Sequence, residues 1–558
     1  MTSIRILLAS ASLGVVLGVS PALADSSKTV PPAKAVKAAE SKLKALIKEG
    51  EDRPSVYEAR LELVQALRAL GTCDTRERMD RELQILSGWL ERSEVPVRLK
   101  PQIIHNELGL AAQISADCAE DESEQKARHE AALRSFTLAR EAAKQSFDAM
   151  NEAVTLYNAS RSAQSLGDLP RAIAFLEEAC AIDLEYALYD NYAEDYAELV
   201  RMKDELSGTQ TPSESVDRHL ASIARDKVRF SFKPVHGEQQ RYRSETRQLT
   251  LANGQRQEQK LEMQYTGAVT IKDDLVTVTV QPGESKVNGR DAKLVAAEST
   301  KPTPEDLVAQ LLGRPISYSV KTSGEFVGAT GLEEIRGIVL AEIDKAFAAA
   351  DASEHRERAR KLIDQVMSDA VINQQIASEW NTTVGWWIDA ELDLGDWYAL
   401  DVDAPQAVLD GGTLKYAYSF KVNRRVACEP ADSKKSCVEL ILEGSPDREQ
   451  YADYLLEMVN RLVGKQPRKQ MRAFRERVAQ DLHLVEHNVL VVEPTTLKTY
   501  KHLQTKTTYM PAAESNGQPK IELETMLSEL QIPPPAPKPA PARPKPARGT
   551  TAKPAPAR

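Results

Sequence analysis

The hydrophobic period of this chain first changes at a polar stretch after its helical N-terminal part. Up to about Leu199, apolar residues recur every three or four positions; beyond the polar stretch Ser207–Ser215 they alternate with polar ones. A period of 3.6 lays apolar side chains along one stripe of a helix, and a period of two lays them on one face of a strand. One kind of element cannot satisfy both. The chain must therefore join a helical unit to a sheet-bearing one, and its 558 residues exceed what a single core usually organises.

In the helical half, Tyr57, Leu61, Val64 and Leu67 form one stripe and Met79, Leu83, Leu86 and Leu90 the next, with Gly71–Thr75 as the turn between them. The alternation recurs with Ile104, Leu108, Ala111 and Ile114, then with Phe136, Ala139, Ala143 and Phe147. Short turns between amphipathic helices predict antiparallel pairs, each leaving a face for the next pair to cover. The segment Ala153–Leu184 resembles a tetratricopeptide repeat in Leu156, the Gly167-Asp168 turn, Ala172, Leu176, Ala179 and Ile182-Asp183. It departs from the family at Ser160, Ala163 and Leu184, and the echo of its second helix, Ala132 against Ala172, is spaced by forty residues where the family repeats every 34 or so. The resemblance implies a stacked helical domain over residues 36–207 that engages a protein partner. Tyr189, Tyr192 and Tyr196 recur at helical spacing at its end, either as an aromatic surface for that partner or as a capping helix that buries its rings on the last repeat.

After a linker at 208–225, strands are predicted at Val228–Phe232, Arg241–Leu251, Gln259–Ile271, Leu275–Gln281, Ile316–Thr322 and Glu325–Val327, then at Leu414–Cys428, Cys437–Glu443 and Val489–Glu493, with Thr499–Tyr509 and Ile521–Leu530 completing the sheet. Helices are expected within Leu332–Ile376 and at Tyr451–Val463 and Met471–Leu484. The expected fold is thus an all-α helical-repeat domain followed by an α+β domain, residues 226–532, with a large antiparallel sheet packed on helices. In element order that domain looks like the open half-barrels of periplasmic lipoprotein carriers. The resemblance implies a concave apolar face for acyl chains or a hydrophobic peptide.

Four of the five tryptophans fall within Glu379–Asp403, a segment expected to be strand-like with its acidic residues facing solvent. So many large side chains in one place build either a core or a pocket, and two adjacent tryptophans cannot both face inward on a regular strand. Trp386, Trp387 and Trp397 are therefore the candidate ligand contacts.

The first 24 residues read as a secretory signal peptide: Arg5, an apolar run from Ile6 to Val19, and Ala22-Leu23-Ala24 as a cleavage site after Ala24. Residues 25–35 form a flexible leader, and no later stretch is apolar enough to span a bilayer. An exported protein, periplasmic or extracellular, permits disulfides. Cys428 and Cys437 flank a hairpin loop and are expected to pair; Cys73 and Cys118 both follow predicted helices and form a second possible bridge; Cys180 is left as a buried thiol. Residues 533–558 are expected from their composition to be a disordered Pro/Ala/Lys/Arg tail. Without its six basic residues and Arg5, 65 basic residues face 82 acidic ones, a balance of −17 that repels phosphate backbones and excludes nucleic acid as a partner.

Catalytic signatures are scarce. His483-Leu484-Val485-Glu486-His487 matches the HxxEH string of inverted zinc peptidases, in which a helix brings both histidines onto one metal. Here the string straddles a predicted helix end, and Glu514, Glu522, Glu524 and Glu529 are poor third ligands, so neither metal nor cofactor is expected. The sequence reads as an exported binding or scaffold protein: helical repeats for a protein partner and an α+β domain for packing or for a hydrophobic ligand. A lipid or lipoprotein carrier is the alternative, and a zinc hydrolase through His483, Glu486 and His487 the second alternative.

Overall fold

The computed structural model describes residues 31–48, 53–92, 100–223, 225–252, 255–291, 314–347, 368–405, 413–429, 432–463, 467–511 and 520–531, with isolated residues between 357 and 364. The stretches expected to be signal peptide and tail, most of the expected leader, and Asn253-Gly254 lie outside the described residues.

The N-terminal region is helical: α1 (Pro32–Ile47), α2 (Pro54–Leu70), α3 (Arg76–Arg92), α4 (Pro101–Asp117), α5 (Glu122–Gln145), α6 (Ala149–Ser165), α7 (Leu169–Glu185), α8 (Tyr189–Ser207) and α9 (Ser213–Ser222). Proline opens α1, α2 and α4, where its missing N–H leaves no helical hydrogen bond unmade. Asp121, Asp148 and Asp168 cap α5, α6 and α7 by accepting the N–H of Glu124, Asn151 and Arg171. Consecutive helices pack on one another, and the core follows the stripes visible in the sequence, with Leu63, Leu67, Met79, Leu83, Leu86 and Ile104 excluded from solvent.

The turns after α5, α6 and α7 share one geometry. Phe147, Gly167 and Ala187 all have positive φ, and the next residue's N–H returns to a carbonyl of the preceding helix: Asp148 to Ala143, Asp168 to Ala163, Leu188 to Asp183. Only glycine adopts that conformation without cost, so Phe147 and Ala187 mark positions where the array imposes the turn. The turns recur every twenty residues, which makes the pair period forty rather than the 34 or so that the tetratricopeptide resemblance implies. The stretch expected to be a linker contains α9.

A twelve-stranded antiparallel sheet follows. Its strands are β2 (Gln239–Ala252), β3 (Gln255–Lys272), β4 (Leu275–Val287), β5 (Arg290–Asp291), β6 (Ile316–Lys321), β7 (Phe326–Thr330), β9 (Trp397–Pro405), β10 (Thr413–Glu429), β11 (Asp432–Pro446), β12 (His483–Glu493), β13 (Lys498–Met510) and β14 (Lys520–Leu530), while β1 (Lys227–Arg229) and β8 (Glu391–Asp393) pair separately. The order β7-β6-β4-β3-β2-β14-β13-β12-β11-β10-β9, with β5 beside β4, is two meanders joined where β2 meets β14, in register from Leu251↔Ile521 to Tyr242↔Leu530. Helices α10 (Leu332–Phe347) and α11 (Asp369–Thr383) pack near the β7 end through Leu332, Ile335, Val339, Ile372 and Ile376. Near the other end α12 (Arg448–Val463) and α13 (Arg468–Asp481) bury Tyr451 and Val478 with Leu414 of β10.

Two sequence expectations change. Glu379–Trp387 is not strand: it is the end of α11 and a short 3-10 turn, Gly385–Trp387, so Trp386 and Trp387 are freed from strand alternation. Residues 483–487 are not a helix end but the start of β12. Alternation puts His483 and His487 on one face, roughly 13 Å apart along the strand, and Glu486 on the other, so the helical zinc geometry implied by HxxEH is not formed.

The helical array contacts the sheet-bearing region at several points. Arg53 Nε and Ser55 Oγ donate to the Asp481 carboxylate at 2.8 and 2.6 Å, Lys100 Nζ lies 3.8 Å from Glu443, and Arg424 pairs with Glu185. Gly395, at φ +86°, admits the Ala187 backbone so closely that a Cβ would collide with it.

Candidate functional site

Strand alternation selects the side chains that meet on one face of the central strands. β4 contributes Val276, Val278 and Val280 from the run Val-Thr-Val-Thr-Val; the intervening Thr277 and Thr279 hydrogen bond to Ser319 and Ser317 of β6 on the other face, both at 2.9 Å. β3 contributes Tyr265, Gly267 and Val269, and β2 contributes Tyr242, whose ring stacks on Tyr265 with centroids 5.2 Å apart. A bulge between Met263 and Tyr265, opposite Pro282, disturbs the register at this point, as bulges commonly do beside binding sites. From the second meander come Met526 and Ser528 of β14 and His502 of β13.

These side chains do not meet a packed helix everywhere. Between them, α11 and the segment Phe232–Glu238 lies a cavity of about 450 Å³, within the roughly 300–1,000 Å³ of small-molecule sites. On the helix side Ile376 and Trp380 form its wall; Phe232 meets Trp380 edge-on at 5.4 Å, and Trp380 Nε1 donates to Gly324 O at 2.8 Å. Exposed Lys233 and Val235 also line the cavity and so mark where it opens to solvent.

The polar groups of the wall are held in place. Tyr265 OH and Ser528 Oγ are 3.0 Å apart, Tyr242 OH lies 2.8 Å from Gln240 Oε1, and Lys498 Nζ is 2.8 Å from Glu238. His502 Nε2 is 2.9 Å from Asn488 Oδ1, Asn488 Nδ2 donates to Glu486 Oε1 at 3.2 Å, and Gln504 Nε2 donates to the same oxygen. Burial pushes the His502 imidazole down to about 4 against the opposing pull of the Glu379 and Glu486 charges, and burial raises the Tyr242 and Tyr318 hydroxyls. The site offers an apolar chamber with fixed, mostly neutral hydrogen-bonding groups. Among the described residues no group of three His, Cys, Asp or Glu side chains is placed to hold a metal ion.

None of the three tryptophans singled out in the sequence lines this cavity. Trp387 is fully buried in the core formed with β10–β12, meets Phe420 edge-on at 5.1 Å, and donates from Nε1 to Thr382 O at 3.0 Å. Trp386 packs edge-on to Tyr418 at 4.9 Å. Trp397, 42% exposed on the edge strand β9, has Lys421 Nζ 5.1 Å from its ring centroid. Trp380, the fourth of the cluster, is the one that reaches the cavity. The valine–threonine alternation of β4 was the legible signal for the wall; nothing local marked Tyr242, Tyr265 or His502.

In the helical array, Tyr192 and Tyr196 stack at 5.5 Å and α9 covers them, with His219 4.3 Å from the Tyr196 ring and its Nε2 3.0 Å from Tyr192 OH. Tyr189 instead packs towards the Trp387 core. Cys428–Cys437 forms the expected disulfide and Cys73–Cys118 the possible one, and Cys180 is a buried thiol pushed up to about 12 by burial and by the charges of Asp195 and Asp183. No described helix is long and apolar enough to cross a membrane.

No protein-family model matches the sequence, and no curated protein does. Among solved structures the chain aligns with lipovitellin, described for its lipid–protein interactions, at 8% identity and a TM-score of 0.25 over 56% of this chain and 27% of lipovitellin. The chain thus spans about a quarter of that protein, and the score is too low to bear on fold or ligand.

Proposed function

We propose that this chain is an exported binding protein whose sheet holds a hydrophobic ligand, a molecule with one acyl or alkyl chain, between α11 and strands β2, β3, β4, β13 and β14. The observation that carries this reading is the cavity itself: about 450 Å³ left unfilled behind valine, tyrosine and tryptophan side chains, open to solvent at Lys233 and Val235. An apolar chamber left empty forfeits the contacts its lining would otherwise make, a cost that a bound chain offsets. Two disulfides accord with export. The test is organic extraction of protein purified natively, followed by mass spectrometry, and rebinding of an alkyl ligand to the stripped protein. Protein that carries no stoichiometric lipid and binds no alkyl ligand once stripped refutes the proposal.

A second reading assigns the helical array, tetratricopeptide-like in its helix pairing, to a protein partner. Leu138, Phe147 and Met150, which belong to α5, α6 and the turn between them, are 51%, 52% and 46% exposed, apolar side chains that the fold leaves to solvent. The double variant Phe147→Asp/Met150→Asp is expected to lose partner capture in a pull-down while keeping its helical circular dichroism; capture at the native level rejects this reading.

A further inference from the structure

We infer that the cavity selects amphipathic molecules whose polar end is an uncharged hydroxyl, received by Nδ1 of His502. The inference deepens the hydrophobic-ligand reading and rests on it.

The argument starts at the Asn488 amide. Its Nδ2 donates to Glu486 Oε1 at 3.2 Å, so the atom it turns to His502 Nε2, at 2.9 Å, is its carbonyl oxygen. A carbonyl oxygen only accepts, so Nε2 carries the ring hydrogen. In a neutral imidazole the other nitrogen then holds a lone pair. His502 Nδ1 has no hydrogen-bond partner among the described residues, and the ring lines the cavity. Burial keeps the ring neutral at physiological pH, so it is an acceptor there and not a cation. Gln504 Nε2 also donates to Glu486, which fixes the chain of groups behind the ring from both sides.

Charge argues the same way. Among the lining residues three carboxylates, Glu238, Glu379 and Glu493, face two ammonium groups, and Lys498 is already joined to Glu238 while Lys233 sits at the exposed opening. Inside the chamber a carboxylate or phosphate head would leave water with no unpaired cation to meet it, because Lys233 stands only at the solvent-exposed mouth, away from His502. An ammonium head would lose its hydration against valine and tyrosine walls. A hydroxyl loses little and donates one hydrogen bond to Nδ1. The chemistry fits long-chain alcohols and acylglycerols better than free fatty acids or phospholipids.

The experiment uses the full-length, lipid-stripped protein at pH 7 with dodecanol, dodecanoate and dodecylamine, which share one chain length. Dodecanol is expected to bind at least about tenfold more tightly than either charged ligand, and His502→Phe to weaken dodecanol about fivefold while leaving the charged ligands unchanged, since a neutral hydrogen bond is worth about 1 kcal/mol net. If His502→Phe does not fold, nitrogen NMR of the native ring decides: the Nδ1 resonance is expected to move with dodecanol and to stay put with dodecane. Dodecanoate or dodecylamine binding as well as dodecanol, or an Nδ1 resonance that dodecanol leaves in place, overturns the inference and leaves the hydrophobic-ligand reading standing. Binding of none of the three overturns both.

Discussion

Filling the cavity from its own wall separates ligand binding from stability. Gly267 lies on β3 between Tyr265 and Val269, and a Cβ built on it would come no closer than 3.8 Å to Val278 Cγ1 and 3.9 Å to the Gln240 carbonyl oxygen, ordinary contact distances. Gly267→Leu therefore places a side chain of four carbons in the chamber without straining the sheet, and replacing glycine in a strand also removes backbone freedom from the unfolded chain. Those carbons occupy the space of about four methylene groups of a bound chain, and at about 0.8 kcal/mol per buried methylene the loss is about 3 kcal/mol, roughly a hundredfold in Kd. The assay is displacement of an environment-sensitive fluorescent fatty probe by an alkyl ligand, measured beside thermal unfolding. Gly337→Leu is the control, because a Cβ on Gly337 meets nothing within 4 Å and Gly337 is not a lining residue. The expected result is a Tm equal to or above the native value with binding lost only at Gly267. Binding within about threefold of native in a folded Gly267→Leu protein would refute the assignment of this chamber as the ligand site.

Three further predictions concern stability. The Cys73–Cys118 bridge closes 45 residues and Cys428–Cys437 closes nine, so loop-closure entropy gives about 4 and about 2.6 kcal/mol; urea unfolding of the paired alanine variants is expected to show the larger loss at Cys73/Cys118, and the reverse order contradicts the entropic account. Burial lowers His502 from 6.5 to about 4, so the unfolded chain binds the extra proton first: stability present above pH 6.5 falls as pH drops towards 4, by about 3 kcal/mol in all, and a stability–pH curve of His502→Phe is expected to lack that acid limb. Asp183, fully buried in α7, and its neighbour Asp195 of α8 have the opposite sign: burial raises both carboxyls, helped at Asp183 by the charge of Asp195 and at Asp195, against the hydrogen bond with Asp183, by the charge of Glu194. There the stability is present in acid and lost as pH rises above the ordinary carboxylate range; Asp183→Asn is expected to raise Tm at pH 8 and to flatten its slope between pH 5 and 8, and an unchanged slope rejects the coupling.

The sequence by itself determined the elements and their faces. Period and turn residues are local properties, so the helical stripes, the strands of both meanders and the valine–threonine alternation of β4 could be read directly. Cys428–Cys437 followed from cysteines flanking a hairpin loop, and Cys73–Cys118 was legible only as a possible bridge between two helix ends. Where local signals compete, the reading shifted. The tryptophan stretch has the aromatic richness of a strand, yet its first half is the end of α11 and a turn, because Trp380 and Trp387 are buried by groups more than 25 residues away in sequence, Tyr318 and Phe420. His483–His487 has a helical metal spacing, yet pairing with β11 and β13 makes it a strand and divides the histidines from Glu486.

Only the tertiary structure decided that β2 lies beside β14, which brings residues some 280 positions apart into one register. That pairing places Tyr242 and Tyr265 from one meander beside Ser528 and His502 from the other, and it creates the cavity wall. A void is a property of what surrounding elements fail to fill, and no residue encodes a distance to a helix that it has not yet met. The sequence thus fixed an apolar face. Whether that face became core or chamber depended on where α11 comes to rest across it.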